Sequence, residues 1–405
     1  MQTITGLHSS AQGTWNDHDG LVGCGTCSFD PGTRLVDAHW QSSYTLLIGP
    51  DWLSGMYLIK MTTANHAEGY IPLVVRDDTT PTAALASFPV NTYQAYNLWG
   101  GYSLYGRDDL QGHVLSDQRA FKVSFNRPYD RDGGAGDFLT WDVHAVRWLE
   151  RSAMDVSYTT DVDFSEHPER LLQHRIFIDI GHDEYWTKAM RDGADAARDK
   201  GVSLAFLGAN DAYWQNRYQP DANGNLDRTI ACYKGISYAH DHIDQLKNDP
   251  YYPKYRDEVT AAWRDPAVHR PEWELLGLAY HSIFGHDYYP QLTVPDGPLA
   301  TIEQGTGLRP GMHLPGGLVG YEYDGLPPVP DPTIKLVVLA LSPIQSRYGK
   351  QDDAVTAYYR AASGALVFDA GSIWWSWGLD ESTPIGAWQT PVSYTHLTLP
   401  TILRV

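Results

Sequence analysis

The stretch from Met154 to Asn210 constrains the fold more than any other part of the chain. A strand pattern, MDVSYTT, and two continuous apolar runs, IFIDIG and VSLAFLGAN, alternate with two helical patterns, HPERLLQHR and TKAMRDGADAARDK. A strand that is apolar throughout must be covered on both faces, and helices crossing over a parallel sheet do that. The second helical pattern carries its own punctuation. Thr187 can cap it, Met190, Ala194 and Ala197 form its apolar stripe, and Gly201 ends it after Lys200. Upstream, FLTWDVHAVRWLERS places Phe138, Trp141, Val143, Val146, Trp148 and Leu149 at helical spacing. Downstream, KLVVLALS and GALVFDAGS read as two further strands, with DAVTAYYRAAS as the helix between them. The fold expected is α/β, with a Rossmann-like parallel sheet and helices on both faces.

Before this core the pattern differs. SSYTLLIG, GMYLIKMTT and GYIPLVVRDD alternate in the manner of strands separated by turn signals. They read as a β-sandwich portion lacking its first strands. The expected organisation is a sandwich portion over 1–80 and an α/β core over 81–390, with Pro-, Asp- and Tyr-rich insertions at about 216–335. The last segment, 391–405 (PVSYTHLTLPTILRV), resembles a translated sequencing adapter and is expected to be a non-native tail.

Composition excludes some partners. A formal net charge of -19 argues against nucleic acid, which favours a basic stripe, and against an anionic membrane surface. Solubility alone accounts for such a charge. No stretch is long enough to span a bilayer. QTITGLHSSAQGTWND lacks the basic and apolar regions of a signal peptide, which favours the cytoplasm, although the start reads as a mid-domain fragment. Of three cysteines, Cys24 and Cys27 form a CGTC without a second CxxC, so a loop or a local disulfide is expected there. Fourteen Trp and twenty-six Tyr suit an aromatic ligand cleft or a β-rich core equally.

In open α/β sheets, ligands sit at the carboxyl ends of the strands. His182, Asp183 and Glu184 follow IFIDI, Asn210 and Asp211 follow LAFLG, and Ser372 follows LVFDAG. GHDEYW lacks the second His of a zinc-protease helix, and its carboxylates and imidazole suit a metal or general acid–base work. A helix cap by Asp183 or Glu184, with His182 bonded to a carbonyl, accounts for it as well. NTYQAYNLWGGYSLYGR carries Tyr93, Tyr96, Tyr102 and Tyr105, which could be a stacking platform, metal ligands or an aromatic-packed loop. LVGYEYDG holds Glu322 and Asp324, within reach of the same rim or simply solvated. WWSWGLD reads as core or cleft wall.

Taken together, SGMYLIKM, GYIPLVVRDD, TYQAYNLWGGYSLY, GHDEYW, LAFLGANDAYWQNRY, GYEYDG and GALVFDAGSIWWSWGLD resemble the C-terminal region of the large (β) subunit of N,N-dimethylformamidase. The match runs in order from about residue 36 to 382, and GHDEYW and GANDAYW are its most specific pieces. The resemblance implies a sandwich portion joined to a core similar to class I glutamine amidotransferases. It also implies a mononuclear Fe3+ site with two tyrosinates and a glutamate. By position, Glu184 matches the glutamate, Tyr96 one tyrosine and Tyr57 the other. His182, Asn210 and Glu322 fall beside the metal as catalytic groups, and Asp183, Tyr102 and Trp214 as substrate contacts. A hard trivalent ion prefers such anionic oxygens.

The function implied is hydrolysis of a C–N amide bond in a small, N-substituted formamide-like substrate. The resemblance leaves room for a homo-oligomer or a small partner subunit, and the 216–300 insertions are where specificity would vary. A non-catalytic or carbohydrate-binding module with an aromatic cleft and no metal is the competing reading, and metal stoichiometry separates the two. Cysteine-dependent chemistry is disfavoured, because Asp183 and Glu184 stand where a nucleophilic Cys would be.

Overall fold

A computed structural model describes residues 14–16, 20–111, 113–234, 246–284, 290–304, 306–314 and 316–380. The tail at 391–405 lies outside the described residues. The chain opens with three separate antiparallel hairpins: β1 (Thr14–Asn16) with β2 (Gly20–Val22), β3 (Cys27–Asp30) with β4 (Leu35–Ala38), and β5 (Gly55–Thr62) with β6 (Glu68–Val75). A disulfide joins Cys24 to Cys27 at the mouth of the second hairpin. SSYTLLIG is not a strand: it pairs with nothing in the sheets, and Leu47 is 86% exposed.

The elements that position the candidate site follow in order. They are β7 (Ala84–Phe88), α1 (Val90–Tyr96), a small hairpin β8 (Arg107–Asp108) and β9 (Val114–Leu115), β10 (Lys122–Ser124) and α2 (Val143–Arg151). Next come β11 (Val156–Thr160), α3 (Asp161–Glu166), β12 (Ile176–Asp179), β13 (Tyr185–Thr187), α4 (Lys188–Asp199) and β14 (Ser203–Phe206). The later strands are β15 (Trp214–Gln219), β16 (Thr229–Ala231), β17 (Ala279–Ile283), β18 (Glu322–Gly325), β19 (Val337–Gln345), β20 (Gln351–Arg360) and β21 (Leu366–Asp369).

The main sheet has seven strands in the order β11-β7-β12-β14-β21-β20-β19. The first five run parallel, and β20 and β19 run antiparallel to their neighbours, so the sheet is mixed. The expected helix DAVTAYYRAAS is therefore β20, a correction with a clear cause. Its Val, Thr and Tyr content favours a pleated strand. Its alternate residues pack on opposite faces, Ala354 into the largest core cluster and Val355 and Ala357 into a smaller one.

β12 shows why the parallel part is so apolar. Ile176, Ile178 and Ile180 pack with Trp148 and Leu149 of α2 on one face. Phe177 packs with Met190, Ala194 and Ala197 of α4 on the other. Each buried Ile, Phe, Leu or Met among them contributes about 1.5–3 kcal/mol by leaving water. α4 starts where Thr187 Oγ1 accepts a bond from the Met190 N–H at 3.3 Å. It ends at Gly201, whose φ of 96° is the left-handed conformation that glycine tolerates best. Among the described residues, no helix is long and apolar enough to cross a membrane.

A second sheet, β10-β16-β15-β13, lies beyond the turn that follows β12. It carries Tyr185 and Trp214 at the starts of paired strands. β18 pairs with β17 and also reaches the segment after β21: Asp324 N–H donates to the Gly371 carbonyl (3.1 Å) and Ile373 N–H to the Glu322 carbonyl (3.3 Å).

Candidate active site

Because β7, β12, β14 and β21 run parallel, their carboxyl ends share one rim. The turns after β12 and β14 are tied together there. Asp183 N–H donates to Asp211 Oδ1 at 3.0 Å, and Ala212 N–H donates to the Asp183 carbonyl at 2.8 Å. Glu184 is fixed from three sides. Its N–H donates to Thr92 Oγ1 of α1 at 3.0 Å, and its carbonyl accepts from Trp214 N–H at 2.8 Å. Its carboxylate accepts from Trp214 Nε1 at 2.9 Å.

Two phenols meet the other oxygen of that carboxylate. Tyr96 donates to Glu184 Oε2 at 3.0 Å, and Tyr105 donates to the same atom. The two rings stack with centroids 4.1 Å apart. His182 Nε2 lies 3.6 Å from Glu184 Oε2 and 3.1 Å from Glu322 Oε2. Asn210 Nδ2 donates to Glu322 Oε2 at 3.3 Å. Asn210 holds a φ of 62°, secured by its N–H donating to Asp324 Oδ1 at 3.0 Å. Left-handed residues other than glycine tend to collect at functional sites. The four polar residues His182, Glu184, Asn210 and Glu322 are all at least nine-tenths buried.

The electrostatics fit a cluster held together by opposite charges. Burial would depress the His182 imidazole, but Glu322, bonded to it, and Glu184 hold it up at about 9. Burial and the nearby Glu184 carboxylate push the Tyr96 phenol well above its usual range. Sequence reading missed Lys234, which ends the buried run IACYK after β16. Its Nζ sits 3.2 Å from the centre of the Tyr105 ring and 5.0 Å from that of Trp214. Burial lowers it to about 7, with Glu184 opposing. A lone lysine in an apolar strand end was the only signal available for it.

Four expected roles need correction. Tyr57 does not join the cluster. It sits on β5, donates to the Leu53 carbonyl at 3.0 Å and packs its ring on Trp52 at 4.8 Å. Tyr105, from the same crowded loop as Tyr96, occupies the place expected of it. Tyr102 turns away to stack on Phe29 at 5.2 Å. Asp183 is fully buried and faces Asp161, Asp179 and Trp186 rather than the cluster around Glu184. Burial raises it to about 6, while its neighbours Asp161, Asp179 and Trp186 oppose that rise. Burial and the Asp183 carboxyl push Asp161 and Asp179 well above the usual carboxylate range. Trp214 is buried as well, and it orients Glu184 rather than lining a cleft.

Cys232 is buried, and burial pushes its thiol up to about 11, which removes it as a nucleophile at neutral pH. Among the described residues, no group of three or more His, Cys, Asp or Glu side chains is arranged to hold a metal. The oxygen donors that do converge are Tyr96, Tyr105 and Glu184.

The family model described as N,N-dimethylformamidase beta subunit-like, C-terminal, matches residues 8–388. That span is nearly the whole chain, and the chain belongs to this family. No curated protein gives a significant match.

A second acidic group under the rim gives a stability prediction. Burial raises Asp324 to about 7, and burial with mutual repulsion holds Asp211 and Asp369 well above the usual carboxylate range. The folded state therefore keeps protons that the unfolded chain releases near pH 4. The stabilising term is intact below that value and is lost as pH rises towards the folded values. The melting temperature is expected to fall between pH 5 and 7.5. Asp369→Asn, which mimics the protonated carboxyl, should fall less steeply. Parallel slopes in thermal unfolding of the two proteins would refute this assignment.

Proposed function

We propose that this chain is a metal-dependent hydrolase of the C–N bond in a small N-substituted amide of the formamide type, with iron held by Tyr96, Tyr105 and Glu184. The observation that carries the reading is the meeting of two phenol hydroxyls at one buried carboxylate oxygen. Without a cation, two protons must fill that space. A hard trivalent ion in their place would bring together three anionic oxygens whose charges match its own. The donor set therefore fits iron, and Tyr105 replaces Tyr57 in it. The family to which the chain belongs takes its name from an enzyme acting on such an amide.

Bound there, the ion would supply Lewis acidity. The remaining chemistry belongs to this chain's side chains. Water attacks the amide carbon and passes a proton to Glu322. The Asn210 Nδ2–H, already aimed at the polar cluster, donates to the oxyanion that forms. Protonated His182 gives its proton to the amide nitrogen, the C–N bond breaks, and an acid and an amine leave. Trp214 holds the Glu184 carboxylate in register. Lys234 offsets part of the negative charge of the phenolic donors.

Metal analysis by mass spectrometry on protein grown with iron tests the ligand set. Near-stoichiometric iron is expected in wild type and in Tyr57→Phe, with loss in Glu184→Ala and a clear reduction in Tyr105→Phe. Folded wild type free of metal would end the metal reading, and loss in Tyr57→Phe would restore that residue to the shell.

Amine release from N,N-dimethylformamide and related small amides tests the reaction. Glu322→Gln should lower kcat by roughly 10²–10⁴-fold, the usual range for a lost acid–base group. Asn210→Ala should lower it by about 10²–10³-fold. Both variants should keep their metal, and full activity in either would remove that residue from the mechanism.

A further inference from the structure

Four aromatic side chains beside the cluster have no part in this chemistry. The indoles of Trp141 and Trp377 stack at 5.5 Å with planes 18° apart. Trp377 and Trp374 stack at 5.3 Å with planes 5° apart. Tyr321 touches both ends of the stack, its ring 6.1 Å from Trp141 and 6.2 Å from Trp374. Trp377 is pinned by its Nε1–H donating to the Thr140 carbonyl at 2.8 Å.

Their position is informative. The group packs on Ala209, the residue before Asn210, and Tyr321 immediately precedes Glu322. Trp374 follows Ser372, whose N–H donates to the Gly208 carbonyl at 2.9 Å. Burial raises the Tyr321 phenol, and so do the nearby carboxylates of Glu322, Asp137 and Glu184. Three of the four, Trp141, Tyr321 and Trp377, are only half-buried. Core aromatics are normally covered. Partly open indoles beside a polar cluster are more characteristic of a ligand surface.

We propose that Trp141, Tyr321, Trp374 and Trp377 seat the nitrogen substituent of the substrate, and that this substituent is a flat aromatic ring, which makes the preferred substrates N-aryl amides. The inference rests on the hydrolase reading for the bond that is cut, but the seat itself is a binding surface. Nearly parallel indoles extend a stack most readily with another planar ring. A substituent on the amide nitrogen would lie on the side of His182, which protonates the departing amine and sits 3.1 Å from Glu322, the residue after Tyr321.

The test compares kcat/KM for formanilide, N,N-dimethylformamide and formamide. Formanilide should exceed N,N-dimethylformamide by about 10-fold, the order that an apolar pocket provides. Trp141→Ala and Trp377→Phe should bring that ratio close to one. Tyr321→Leu serves as a further variant if the alanine variant fails to fold. Hydrolysis with no preference for the aryl substrate, or a preference unmoved in the folded variants, would overturn the proposal. Should wild type hydrolyse none of the three, the hydrolase reading fails, and titration calorimetry with benzamide decides the seat. Binding that is lost in Trp377→Phe supports it, and absence of binding to wild type overturns it.

Discussion

The candidate site depends on how closely the backbone after β12 approaches the backbone after β14. Gly181, at a φ of +73°, lies where a Cβ would run into the Asp142 carboxyl. Gly208 lies where a Cβ would run into the Gly181 carbonyl. A side chain at Gly208 would push the two turns apart, and one at Gly181 would drive the first turn off Asp142. With both bare, Asp211 can accept from Asp183 N–H, and the Glu184 carbonyl can accept from Trp214 N–H. Those bonds set the register between His182 and Glu184 on one turn and Asn210 on the next. The polar cluster follows from this contact, and the contact follows from two glycines.

The same rim explains how so many acids can be buried together. A formal charge of -19 counts every carboxylate as ionised. Asp161, Asp179, Asp211 and Asp369 are fully buried or nearly so, and desolvation pushes each well above the ordinary carboxylate range. A carboxyl pushed up in this way favours its neutral form, which eases the repulsion of Asp161 and Asp179 by Asp183. Glu184 and Glu322 face His182 and Lys234 across the site, so opposite charges meet there. A cluster built this way does not need to export its charge to solvent.

The sequence made the parallel half of the sheet legible because each element there is signalled locally. Thr187 marks where α4 begins, Gly201 where it ends, and β12 is apolar on both faces. It also brought His182, Glu184 and Asn210 to one rim, since all three follow the carboxyl ends of parallel strands, whereas Glu322 opens β18 and its spacing leaves it between that rim and solvent. It failed where the deciding partner is distant. DAVTAYYRAAS contains enough alanine to read as a helix, but β19 and β21 supply ladders on both edges, and tertiary pairing overrides propensity. Tyr57 and Tyr105 could not be separated from spacing alone. Both are tyrosines near glycines, and only the path of the loop after α1 turns one towards Glu184. Lys234 was silent for the same reason, since its neighbours come from other strands. Asp183 was misjudged because adjacent residues on a turn were given a common direction.

The chemistry and the aromatic surface come from different parts of the chain but are not mechanically independent. Glu184, Tyr96 and Tyr105 are held by α1, the loop after it, and the turn after β12. Tyr321 arrives with the long insertion that ends in β18, and Glu322 is the next residue. Backbone bonds join β18 to the segment after β21, which carries Trp374 and Trp377. Tyr321 therefore cannot shift without moving Glu322, and neither can move without the indoles behind them. A change in the insertion that reshaped the aromatic surface would also displace the group assigned to proton transfer, while the three oxygen donors stayed in place. In a fold built this way, substrate preference and proton transfer should change together, and the affinity for a metal should not follow them.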